Sequence, residues 1–277
     1  MTAIDTAPAA GVHRVTFRRV LIAEWIKFRT LRSTVWALGL TVVMIVGFAA
    51  LMSWAATLPQ AQIQPGGLGA GDLVTVGSYF GQLIVAVLGV LTISGEYSTG
   101  MIRSTLLAAP RRLPVLWGKA AVLAVVVAVV SLVAVALATL VTLPFHDQLG
   151  ITLDLGDSET LRILLGVPAY LTAVSLLGLA FGALLRHSAG AIATVLGLLL
   201  VVENVIGAIP LAFFEQISPF LPATAGGKLL MNDQTLALLA AASPGVDLAP
   251  WQGYAVMLAW VAALLAGAAV LLRRRDA

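Results

Sequence analysis

The sequence predicts an all-α membrane protein with six transmembrane helices, and three observations lead there. First, 60% of the 277 residues are apolar and 10% charged, with a mean hydropathy of +1.01; an average soluble domain carries about 25% charged residues. Second, six continuous apolar runs of about 20 residues, the length that crosses a hydrocarbon core as a helix, occupy 35–56, 73–94, 120–143, 163–185, 189–209 and 251–272. Five of them hold no Asp, Glu, Lys or Arg, and the fifth run holds only Glu203. Third, the dyad alternation of a membrane β-barrel, in segments of about ten residues, is absent. Residues 1–13 read as a disordered tail and 14–277 as one transmembrane domain.

Basic residues give the orientation. Fourteen of the sixteen Lys and Arg flank the runs on one side, and only Arg162 and Lys228 lie on the other. That other side collects Asp72, Asp147, Asp154, Asp157, Glu159, Glu215, Asp233 and Asp247. By the positive-inside rule both termini are cytoplasmic. The pI of about 9.6 then reflects topology and attraction to membrane lipids, not binding of nucleic acid. The sequence has no cysteine, which excludes disulfides, thiolate metal sites and thiol nucleophiles.

The stretch "VTFRRVLIAEWIKFRTLRSTVW" precedes the first run. At helical spacing Phe17, Val20, Leu21, Phe28 and Leu31 share one face and Arg14, Arg18, Arg29 and Arg32 another, which predicts a helix lying in the membrane interface. Glu24 sits in the middle of the apolar face. It suits an ion pair with Lys27 one turn on, or a contact with a cytoplasmic partner or with the 95–119 segment. The basic stretch is too long, and the following run exceeds the 7–15 residues of a signal core, so the first run is read as a retained span.

Between the second and third runs lies "GEYSTGMIRSTLLAAPRR". Gly95 and Gly100 permit bends, Ser98 or Thr99 suits a helix start, and "GMIRSTLLAA" reads as a short helix ended by Pro110. The segment is a compact elbow presenting Glu96, Arg103, Arg111 and Arg112 outside the lipid, either as a membrane-edge anchor or as a docking surface.

The first outer loop, "LPQAQIQPGGLGAGD", is a polar Gly/Pro connection, and "HDQLGITLDLGDSE" is an acidic solvated loop in which His146 and Asp147 make no convincing metal site. The turn at 186–188 is so short that spans four and five are antiparallel neighbours. Beyond the fifth run, "IPLAFFEQISPFLPATAGGKLL" is too apolar for a free loop and too broken by Pro210, Pro219 and Pro222 to span, which predicts re-entrant half-helices. Glu203, beside Asn204, is a carboxylate within a span: either a contact on a substrate or proton path, or a hydrogen-bonded bridge between helices. Gln82 and Ser78 either face a polar path or hold helices together.

"AEWIKFRTLRSTVWAL" followed by "EYSTGMIRSTLLAAPRRLPVLWGKA" resembles the actinobacterial permeases of the ABC-2 type ABC transporters, and the similarity in span number and motif order extends along essentially the whole chain. The resemblance implies a permease in a bacterial cytoplasmic membrane, with 95–112 as a cytoplasmic coupling helix seated on a separate ABC ATP-binding subunit. Glu96, Tyr97, Gly100, Arg103, Pro110 and Arg112 match the family pattern there, with Arg111 and Glu24 beside it. It also implies the re-entrant outer segment between spans five and six, and outward transport.

The nucleotide-binding pattern G-x-x-x-x-G-K-[ST] does not occur; "PATAGGKL" has Pro222 in place of the first glycine and Leu229 in place of the hydroxyl residue. ATP and Mg would therefore be held by the partner, and the chain itself is expected to be neither an enzyme nor a cofactor binder. His13, His146 and His187 are scattered, which argues against an intramembrane enzyme. The favoured reading is an exporter permease acting as a homodimer or heterodimer on an amphipathic or lipophilic substrate, with Glu203, Asn204 and Gln82 on its pathway. The alternative is a non-transporting sensor or anchor subunit of an ATPase complex.

Overall fold

The computed structural model describes residues 16–58, 69–98, 100–101, 112–209, 211–242 and 246–274. Helix α1 spans Phe17–Thr30, α2 Arg32–Ala56, α3 Ala70–Thr75, α4 Ser78–Ser98, α5 Arg112–Leu149 and α6 Ser158–Leu185. Then follow α7, Ser188–Leu196, a π-helical stretch Gly197–Val202, and α8, Glu203–Ala208. Short helices α9, Ala212–Ile217, and α10, Pro222–Gly227, each run into a 3-10 turn before α11, Asp233–Ala242, and α12, Pro250–Arg274. Among the described residues there is no strand, and six helical stretches are long and apolar enough to cross a membrane. Each overlaps one of the six apolar runs.

The centre is the α4–α6 pair. Its seam is built from small residues that let backbones touch: a Cβ on Gly89 would strike the Ser175 carbonyl, and one on Gly178 the Ala86 carbonyl. Pro168 lies within α6 and Pro144 within α5. Helix α6 starts on Asp157, whose carboxylate accepts from the Thr160 and Glu159 amides and the Thr160 hydroxyl, a charge-favouring N-cap that holds it below the usual aspartate range. It ends on Arg186, the one described non-glycine residue with positive φ (54°), and α7 restarts two residues later, packed on α6.

Three expectations change. The apolar run predicts a third span over 120–143, but α5 runs from Arg112 to Leu149, about 57 Å at 1.5 Å per residue. It passes through Lys119, whose charge is neutralised, and takes His146 and Asp147 out of the acidic loop. In α1 the buried stripe is Val20, Glu24 and Phe28, not the broader face that included Phe17 and Leu31, both of which are exposed. That narrower stripe lies on α5, where Gly118 makes room for Val20. Finally, Gly95 lies inside α4 and makes no bend; the left-handed glycine is Gly100, at φ 72°.

Candidate functional site

Two lysines and two glutamates meet where α1, α4 and α5 converge. Glu24 and Lys27 are a turn apart on α1, Glu96 is in the last turn of α4, and Lys119 is in the first part of α5. Lys119 Nζ donates to Glu24 Oε2 at 2.8 Å and to Glu96 Oε1 at 2.6 Å. Lys27 Nζ donates to the same Glu96 Oε1 at 2.7 Å and to Glu24 Oε1 at 3.1 Å. The cluster is closed and neutral, with Lys119 1%, Glu24 3% and Glu96 7% exposed. Lys27 is on its rim. Burial disfavours its charge, but the Glu96 hydrogen bond and the charges of Glu24 and Glu96 more than reverse this and hold Lys27 above the ordinary lysine value.

Glu24 thus pairs with Lys27 and also reaches the 95–119 segment through Lys119. Glu96 differs from its expected exposure on an elbow. Because α4 stays helical through Ser98, the carboxylate is carried onto the face toward α1 and α5 and buried. Tyr97 is half-buried with the Arg186 guanidinium 5.3 Å from its ring centroid, a cation–π distance, and Ser188 donates to Ser94 nearby at 2.9 Å. Gly100 is exposed, and Arg112 opens α5. Arg103, Pro110 and Arg111, with the short helix expected there, lie outside the described residues.

Of the three pathway candidates, Gln82 and Glu203 both lie near the buried Tyr170 of α6, and Asn204 is turned outward. The Tyr170 hydroxyl of α6 donates to Gln82 Oε1 of α4 at 2.6 Å, and the Asn204 amide donates to the Leu200 carbonyl of its own helix at 2.8 Å and is otherwise exposed. Glu203 follows the π-helical stretch and is buried. Its carboxylate accepts from the Ala223 amide at 2.9 Å, the Thr224 amide at 2.6 Å and the Thr224 hydroxyl at 2.8 Å. It ties span five to the first turn of α10.

Two arrangements were not anticipated. Lys119 was read only as a flanking charge, and Arg162 donates to the Lys228, Leu229 and Met231 carbonyls and pairs with Asp233 at 2.6 Å. With Asn232 donating to Asp72 at 2.8 Å, it fastens the chain after α10 to the acidic end of the bundle. Among the described residues no group of three or more His, Cys, Asp or Glu is placed to hold a metal ion. In comparisons with known proteins, no family model matches the chain and no curated protein matches its sequence.

Proposed function

We propose that this chain is the membrane subunit of an ATP-driven exporter of the ABC-2 type, with a separate ATP-binding subunit docked on residues 95–112. The observation that carries the reading is the ion cluster. Glu96 and Lys119 stand at the two roots of the connection between spans two and three, and both are bonded to α1 through Glu24 and Lys27. A connection stapled in this way suits a force-bearing elbow better than a slack loop. Closure of the partner on ATP would move the elbow, and α1, α4 and α5 would follow as one body, the two-state rigid-body coupling that gives transport a mechanical basis.

In this reading the basic end faces the cytoplasm of a bacterial cell, α1 lies in the interface, and the chain works as a dimer of permeases. The segment after span five dips into the outer half of the membrane as an outer gate, anchored on Glu203. The aliphatic character of the spans favours an amphipathic or lipophilic cargo.

The test is co-purification of the detergent-solubilised chain with the ABC ATPase encoded beside it. Arg103→Glu and Arg111→Glu are the variants, because they change none of the four residues of the ion cluster. Recovery of the ATPase with the wild type, and a loss of about tenfold or more with either variant, is the expected result. Failure of the wild type to recruit it, or equal recovery with both variants, overturns the docking claim.

A further inference from the structure

The buried residues of span five are Ala191, Val195, Leu199 and Glu203, spaced by four throughout. A regular α-helix advances about 100° per residue, so over the roughly 12 residues from Ala191 to Glu203 it would drift by about 120° and carry the carboxylate off the buried face. The π-helical stretch Gly197–Val202 takes up that drift. Its turns are one residue wider than an α turn, and the Glu203 amide closes the last of them on the Leu198 carbonyl, five residues back. The span has no proline, and a Cβ added to Gly197 would meet nothing within 4 Å. Neither a helix breaker nor a close neighbour there accounts for the widening, whereas the inward aim of Glu203 does.

The same residues have a second register. With regular turns throughout, Val202, about 11 residues on from Ala191, would stand about 20° from it and take the inward position; as the span is wound it is 42% exposed. Glu203 would turn away by about 100° and lose the Ala223 and Thr224 amides, the first that α10 offers because Pro222 has none. Helix α10 would keep its other support. Gly253 admits the Ala225 carbonyl to α12, and Trp260 of α12 donates to the Phe220 carbonyl at 2.9 Å.

We propose that span five is a two-register latch. In the π register Glu203 holds α10; winding of the stretch into regular α-helix puts Val202 in its place and lets α10 part from span five while staying on α12. A carboxylate drawn off its donors within a span is costly, so the latched register is the resting one. The released register is the minor state that a displacement of the bundle would populate. The latch concerns only how α10 is held, and it stands whether or not the chain exports.

The experiment is hydrogen exchange of the full, detergent-solubilised chain, read at residues 223–226. Deletion of Val201, which is 58% exposed, removes the spare residue, so that regular turns alone aim Glu203 inward. Without the released register, exchange at 223–226 should be about threefold or more slower than in the wild type. Exchange as fast as in the wild type, or faster, overturns the proposal. Val202→Glu with Glu203→Val puts the carboxylate where only the regular helix turns it inward, and decides the matter if the deletion fails to fold. Exchange within about tenfold of the wild type is then expected, and anything faster, toward the roughly 100-fold expected of Glu203→Leu, overturns the proposal.

Discussion

Lys119→Met removes a charge and keeps most of the stem, so it isolates the electrostatics of the cluster. The ammonium is 2.8 Å from Glu24 and 2.6 Å from Glu96, and at an effective dielectric constant of about 20 each attraction is about 6 kcal/mol. Desolvation of the buried ions offsets much of that. The net effect is set by what stays behind: two carboxylates share Lys27 alone, and one of them is buried without a counter-charge, a loss of about 3–5 kcal/mol. For a chain of this size that is on the order of 10 °C in melting temperature, readable by gel filtration of the heated, detergent-solubilised protein. Lys119→Met with Glu96→Gln restores the pairing of Glu24 with Lys27 and should recover more than half of the loss. Lys228→Met is the control: Lys228 is itself buried, but its partner Asp247 has a side chain 61% exposed, so the carboxylate left behind is solvated and the loss is smaller. The reasoning fails if Lys119→Met costs no more than Lys228→Met, or if the double variant is less stable than the single one.

Lys27 makes the cluster sensitive to alkali. Its folded pKa lies above the ordinary lysine value of about 10.5, so its contribution is complete below that pH and is lost as pH rises through the folded value. The difference in melting temperature between wild type and Lys27→Gln should be constant near neutrality and shrink above about pH 10.5; a difference that persists unchanged through the alkaline range contradicts it. Glu203→Leu leaves the Ala223 and Thr224 amides without their acceptor, a cost of about 3 kcal/mol at roughly 1–3 per unmet buried donor. Hydrogen exchange at residues 223–226 should then accelerate on the order of 100-fold, and unaltered exchange there shows that the tether does not hold α10.

The six spans were legible because about 20 residues without charge admit few structures other than a membrane helix. Their ends were not, because a charge was taken as the end of a span, and Lys119 is a charge whose partners are 95 and 23 residues away in sequence. A signal was present: lysines number 3 against 13 arginines, and Lys27, Lys119 and Lys228 all make ion pairs. A compact ammonium with three rotatable donors can serve two carboxylates on different helices at once, as Lys119 does. The Glu203 tether carries no comparable signal. Its main acceptor role is toward backbone amides, which every residue type except proline supplies, so no residue pattern announces it.

The burial pattern bears on where a moving boundary can lie. The windows of the spans ending at Ser98 and Leu185, which contain α4 and α6, are 56% and 72% buried, against 17% for α2, 22% for the span made by α7 and α8, and 28% for α12. At Gly89 and Gly178 the α4–α6 contacts are backbone on backbone, which leaves no side chain at those points to change rotamer and absorb sliding. The Tyr170–Gln82 bond crosses the same pair. A displacement delivered at residues 95–112, as in the proposed mechanism, would therefore carry α6 along with α4. The relative motion would fall at the sparsely buried helices, α2 on one side and α7, α8 and α12 on the other.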